Sequence, residues 1–266
     1  MFLLLSGNIF SQGSKAPTHS SYLGAGAYSI NHVDAFSFTS NQAALAQIKN
    51  AAVGVYGEKR YLLSSTNLYA AVIVIPTKQG NFGLQVDYFG FKNYNESQIG
   101  IAYARNLGSK LDVGIKFNYY GFRIPAYGNQ SSINFEIGAI AHLTEKLHVG
   151  IHAYNPAGNY LSKTNSEKLS SIYKFGIGYE ASEKFIVSTE IIKQEDQPVN
   201  VNISFQYNFM KQFFVRAGTT TETTNSYLGA GISWKIFRLD ISGSYHPQLG
   251  FTPGLLLIIH LNKTAE

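Results

Sequence analysis

The side chains of this sequence that could do chemistry are spread along it at even spacings. Asp112 and Lys116 lie four apart, as do His148 and His152, while Glu136 and His142 lie six apart between them. Asp87 precedes these, and Lys174, Glu180, Glu190, Arg216, Arg238 and Asp240 follow. On an extended chain, even spacing places side chains on one face. Such a face offers either a charged channel or binding lumen, or acids and bases that pair across neighbouring strands and fill an interior. A metal is the first alternative to weigh, because three histidines fall within eleven residues. Four residues along a strand span roughly 13 Å, too far for His148 and His152 to share one ion. Those histidines therefore read as lining, and no metal is expected.

Nucleophilic chemistry finds no better support. Ser188, Ser242 and Ser244 can face the same side, but no histidine stands at a fixed spacing from them. The chain has no Gly-x-Ser-x-Gly, no phosphate loop and no dinucleotide fingerprint. It has no cysteine, which removes thiolate chemistry and disulfides. The sequence predicts a protein that is not an enzyme and carries no cofactor.

The elements that position these residues follow from a period of two. Val199, Val201, Ile203, Phe205, Tyr207 and Phe209 alternate with Asn200, Asn202, Ser204, Gln206 and Asn208. One face is apolar and the other polar, over the roughly 9 to 11 residues a tilted strand needs to cross a bilayer. Leu111 to Tyr120 and Leu147 to His152 repeat the pattern. A polar-Lys turn followed by apolar-x-Val opens strands at Ser109-Lys110, Glu145-Lys146 and Glu183-Lys184. Longer connections alternate with these turns: Arg123–Gln130, Asn155–Lys168, Lys193–Pro198, Thr220–Asn225 and His246–Phe251. Short turns at one end and longer loops at the other are the asymmetry of an outer-membrane barrel.

This spacing predicts strands near 51–60, 67–76, 81–91, 97–106, 109–123, 131–143 and 146–154. Seven more are predicted near 170–181, 184–193, 198–209, 212–220, 225–235, 236–246 and 252–262. The fold class is thus all-β: a closed antiparallel transmembrane barrel of about fourteen strands, occupying 51–266. An even count returns both termini to the periplasm. The last strand, Leu255 to Asn262, is apolar on both faces, so one face is expected to meet an N-terminal segment inside the lumen.

Composition agrees. Charged residues are 14% of the chain and aromatic residues another 14%, with 18 Tyr, 18 Phe and 25 Gly. Soluble domains carry about 25% charged residues. Tyrosine suits the membrane interface, and mean hydropathy near zero is what alternating lipid-facing and lumen-facing residues produce. The net charge of +5 forms no long basic run, so nucleic acid is not an expected partner. Lipid and lipopolysaccharide are.

Before the strands, residues 1–11 end in Ile9-Phe10-Ser11 and read as a truncated signal peptide, with a buried N-terminal strand as the alternative. Residues 12–50 form a periplasmic or lumenal plug, with a short helix after Ser40. The loop from Asn155 and Pro156 through Tyr160 and Lys163 is the best exposed candidate for contact with a partner.

Gly24-Ala25-Gly26-Ala27, Asp34-Ala35-Phe36-Ser37 and Asn41-Gln42-Ala43-Ala44-Leu45-Ala46 resemble the N-terminal region of FadL-like barrels, above all the PorV/PorQ branch found in Bacteroidota. The resemblance implies a fourteen-stranded barrel in the outer membrane of a Gram-negative bacterium. FadL-type transporters capture hydrophobic compounds with long greasy loops, whereas the loops here are short and polar. The resemblance therefore implies an accessory or scaffolding subunit of type IX secretion or barrel assembly, bound to another outer-membrane protein. The alternative is a FadL-like channel for small or hydrophobic molecules.

Overall fold

A computed structural model describes residues 20–125, 128–159, 169–195, 197–221 and 225–261. The expected signal segment 1–11, Tyr160 and Lys163 lie outside the described residues. The strands are β1 (Ala52–Lys59), β2 (Asn67–Thr77), β3 (Gly80–Phe91), β4 (Tyr94–Asn106), β5 (Leu111–Ile124), β6 (Gly128–His142) and β7 (Leu147–Tyr154). They continue as β8 (Ile172–Ser182), β9 (Phe185–Gln194), β10 (Val199–Tyr207), β11 (Phe213–Thr220), β12 (Ser226–Trp234), β13 (Phe237–His246) and β14 (Gly250–His260). Each pairs antiparallel with its neighbour in sequence, and β1 pairs with β14 from Ala52↔His260 to Glu58↔Gly254, closing the barrel. Closure leaves no strand edge for lipid to face.

The first strand starts and the last strand ends at one rim, shared with the tight turns 77–80, 182–185 and 234–237. The opposite rim carries the two longest connections, 60–66 and 155–171, together with short ones such as the two residues between Phe91 and Tyr94 and the three between His246 and Gly250. The expected loop Arg123–Gln130 is shorter than the sequence suggested. There β5 and β6 stay paired as far as Ile124↔Gly128, because Asn129 and Gln130 continue the ladder opposite Arg123 and Phe122.

Alternation sets the two faces. Ile101, Ile133, Ile151, Leu228 and Ile241 point outward and are exposed, while their sequence neighbours are buried. Tyr69, Tyr119, Tyr173 and Tyr245 ring the loop rim, and Phe82, Tyr179, Tyr207 and Trp234 ring the turn rim. Aromatic girdles bordering an apolar band are what a lipid-facing barrel requires.

Residues 20–50 lie within the lumen. Their apolar side chains Phe36, Phe38 and Leu45 pack against Val72 and Val74 of β2 and Leu256 and Ile258 of β14. This explains the two apolar faces of the last strand: Leu255 is exposed outward while Leu256 meets the plug. The predicted helix is a six-residue 3-10 turn, Gln42–Gln47, capped by Asn41 and not by Ser40. The Asn41 side chain accepts from the Ala43 amide at 3.0 Å, which satisfies a donor that the turn leaves free.

Candidate functional site

The lumen is built as two surfaces, wall and plug, joined mainly by the wall's carboxylates. Asp112 accepts from the Gln47 amide at 2.6 Å. Glu136 accepts from the Gln42 amide. Glu180 takes the Ser29 hydroxyl at 2.8 Å, the Ile30 amide at 2.5 Å and the Asn31 side chain at 2.5 Å. Glu190 accepts from the Tyr28 hydroxyl at 2.8 Å and from Ser40 at 3.2 Å. Asp240 accepts from the Tyr22 hydroxyl at 3.1 Å. Each of these acids is buried. A charge out of water must be paired or hydrogen-bonded, and the plug supplies the donors.

The basic side chains complete the arrangement. Lys116 and Glu136 stand opposite one another on β5 and β6, with Nζ to Oε1 at 2.8 Å. Lys174 lies 3.7 Å from Glu190 on the adjoining strand. Arg216 and Arg238 both donate to Asp34 of the plug, at 3.2 and 3.1 Å, and Arg238 also pairs with Asp240 at 2.7 Å. The Arg238 guanidinium stacks 4.4 Å from the Phe214 ring centroid, and that of Arg216 lies 5.0 Å from the centre of Tyr22. Burial raises the Asp34 carboxyl's affinity for a proton, but the two guanidinium groups outweigh it and hold the group below its ordinary range. Asp34 is thus a fixed negative charge at the centre of the cluster.

The histidines are partners across strands. His142 and His148 oppose each other on β6 and β7, with their Nδ1 atoms 2.8 Å apart. His142 Nε2 lies 2.8 Å from Asp112, and His148 Nε2 lies 3.2 Å from Glu180. His152 lies 3.0 Å from Glu136. Asp87 sits beside Gln85, whose amide donates to it at 2.5 Å.

The plug comes close enough to the wall that several lumenal positions have room for glycine alone. A Cβ on Gly54 would stand 2.6 Å from the Phe36 ring, and one on Gly150 2.7 Å from Tyr28. A Cβ on Gly176 would fall within the Tyr28 ring. Glycine at alternate positions of the polar face is the mark this contact leaves in the sequence.

Asn155 corrects an expectation. The sequence places it in an exposed loop, yet it is fully buried with φ at 49°. Its amide donates to the Leu169 carbonyl at 2.6 Å, and its side-chain oxygen accepts from the Asn159 amide at 3.1 Å. Asparagine tolerates this left-handed backbone, so Asn155 braces the loop from within while Pro156 is half-buried beside it.

Two cavities flank the plug. One, of 370 Å³, lies at the loop rim between the walls of β8–β14 and β1, floored by Ser20, Tyr22, Gly24, Thr39 and Ser40. The other, of 140 Å³, lies at the turn rim beneath His32, Phe214 and Arg238. The cluster of Tyr22, Asp34, Arg216, Arg238 and Asp240 separates them.

No protein-family model and no curated protein matches the sequence. Solved structures do. A Pseudomonas aeruginosa FadL homologue is 10% identical over 86% of this chain and 95% of its own, with a TM-score of 0.63. The P. putida toluene transporter TodX is 8% identical over 87% and 95%, with a TM-score of 0.62. The Ralstonia pickettii toluene transporter TbuX is 11% identical over 85% and 92%, with a TM-score of 0.60. At such identities the likeness establishes one thing: the chain has the fold of the FadL-like barrels.

Proposed function

We propose that this protein is a non-enzymatic outer-membrane channel of the FadL-like kind for small molecules, closed in this state by its own residues 20–50. The observation that carries the reading is the pair of cavities on either side of a plug held without covalent links, by hydrogen bonds, ion pairs and apolar packing. A solute entering at the loop rim meets a cup whose floor is the plug, and the second cavity lies beyond it. In this reading the loop rim faces outward, and the turn rim, with the ends of the first and last strands, faces the periplasm.

The comparisons favour a channel over the accessory subunit expected from the sequence. The three structures above are described as a FadL homologue and two toluene transporters. They lend no support to a PorV/PorQ-like branch, a secretion role or an origin in Bacteroidota. Lipid is the partner of the outer wall, whose apolar band and girdles match a bilayer. A scaffolding subunit would bring a stoichiometric outer-membrane partner through mild-detergent purification, and the channel reading expects the barrel alone.

Planar-bilayer conductance and liposome swelling test the proposal. The wild-type protein should pass small solutes slowly or intermittently, and Asp34→Ala, which frees the plug, should pass them faster. Silent bilayers and unswollen liposomes with both proteins would refute it.

A further inference from the structure

The cavity at the loop rim does not suit a hydrocarbon. We infer that it is a binding site for a neutral, multiply hydroxylated small molecule, of the class of mono- and disaccharides. The inference rests on the channel reading only for how such a ligand would travel onward.

At 370 Å³ the cavity falls within the roughly 300–1,000 Å³ of small-molecule sites. Such sites are usually apolar with a few polar groups, and this one reverses the proportion. Side-chain amides enter it from Gln194, Asn200, Asn202 and Asn225, and hydroxyls from Ser242, Ser244 and Thr252. An amide offers both donors and an acceptor, and a hydroxyl does the same. Sugar hydroxyls have that double character, which simple ions and hydrocarbons lack.

Charge narrows the class further. The ionised residues lining the cavity are Glu58, Arg60, Lys174 and Glu190, and they neutralise one another. Arg60 binds Glu58 at 2.7 Å, and Lys174 lies 3.7 Å from Glu190. An anion would find its cations already engaged, and a cation would find the acids engaged.

A third observation points to a ligand. The side-chain carbonyl oxygens of Asn202 and Asn225 are shielded from solvent and have no hydrogen-bond partner in the structure. Asn202 is 8% exposed. Buried polar atoms are nearly always paired, and both of these residues line the cup. A hydrocarbon seated there would leave the two acceptors unmet, whereas a polyol hydroxyl would donate to either once a side-chain rotation turns its oxygen into the cup. The rings of Tyr56, Tyr61 and Tyr227 complete the lining and offer apolar surface to the C–H face of a pyranose.

Saturation-transfer NMR on the protein in detergent micelles tests this, with glucose, xylose and maltose as probes and toluene and methyl phosphate as comparators. At least one sugar should receive saturation, and Asn202→Val and Asn225→Ala should each weaken its binding about fivefold, the worth of one hydrogen bond. Each variant is checked for a folded barrel by its heat-modifiable mobility on gels, and Asn202 lies within β10 whereas Asn225 precedes β12, so both need not fail together. Absence of saturation on every sugar, or saturation of toluene or methyl phosphate alone, would overturn the inference. Sugar binding with sugar-impermeable liposomes would leave the site standing and defeat the channel reading. Solute flux without sugar binding would do the reverse.

Discussion

Arg216 of β11 donates through Nη2 to the Asp34 carboxylate 182 residues earlier, at 3.2 Å, with its side chain wholly buried. The same guanidinium reaches the Tyr22 carbonyl at 3.2 Å and the Gln206 side chain at 2.6 Å. One wall residue therefore grips the plug at two points. The contact also lies between the cavity at the loop rim and the one at the turn rim.

Replacing Asp34 with alanine strands that guanidinium, and losing one partner of a buried pair costs about 3–5 kcal/mol. The cost should fall near the lower figure, because Arg238 keeps Asp240 and Arg216 keeps Gln206. Hydrogen exchange by mass spectrometry should show faster exchange over residues 22–45 and unchanged protection in the strands. Equal protection of the plug in the variant would place its anchorage elsewhere.

Gly176 and Tyr28 form a second hold. Alanine at Gly176 collides with the Tyr28 ring, and overpacking of this kind costs about 1–3 kcal/mol. Tyr28→Ala removes the ring and its hydrogen bond to Glu190. The double variant should cost less than the sum of the two, since neighbours in contact are not additive. Additive losses in plug protection would show that the two residues act separately.

The outer wall makes a separate claim. Ile101 lies mid-strand in β4 and is 62% exposed on the lipid face. Arginine there should cost about 2–4 kcal/mol in unfolding from lipid vesicles, against about 0–1 for arginine at Leu107 near the turn rim. Equal costs at the two positions would contradict a membrane band running across β4.

Acid should release the plug through His32. Burial is the main cause that lowers its proton affinity below the ordinary histidine value near 6.5; Glu180 opposes the shift and Arg216 adds to it. The undocked segment then binds a proton that the docked segment refuses. Docking contributed by this group is complete above pH 6.5 and declines as pH falls below it. Plug amides should exchange faster at pH 5.5 than at 7.5 after correction for intrinsic rate, and His32→Gln should flatten the difference. A slope unchanged by that substitution would assign it to other groups.

Much of the wall was legible because a strand's side chains alternate whatever the tertiary context. The run Val199 to Phe209 announced a bilayer-spanning strand, and β10 is found at Val199–Tyr207. The double-faced apolarity of Leu255 to Ile259 announced a lumenal neighbour, and Phe36 is packed there. The plug's grip was not legible. Asp34 lies in a segment without periodicity, and nothing local marks it as the counterion of Arg216 and Arg238. The wall acids were expected to pair across strands, and Lys116–Glu136 does so. Glu136, Glu180 and Asp240 also reach the plug, because a chain inside a closed barrel is within reach of many strands at once.

The sequence by itself determined the strand number, the two faces of the wall and the rim at which the turns gather. Those follow from period-two alternation and turn chemistry, which are local. Only the tertiary structure decided which acids hold the plug, that Asn155 is an internal brace, and that a polar cup lies above Tyr22. Those depend on closing the barrel around residues 20–50, which sets side chains from distant strands against one another in a space the sequence does not measure.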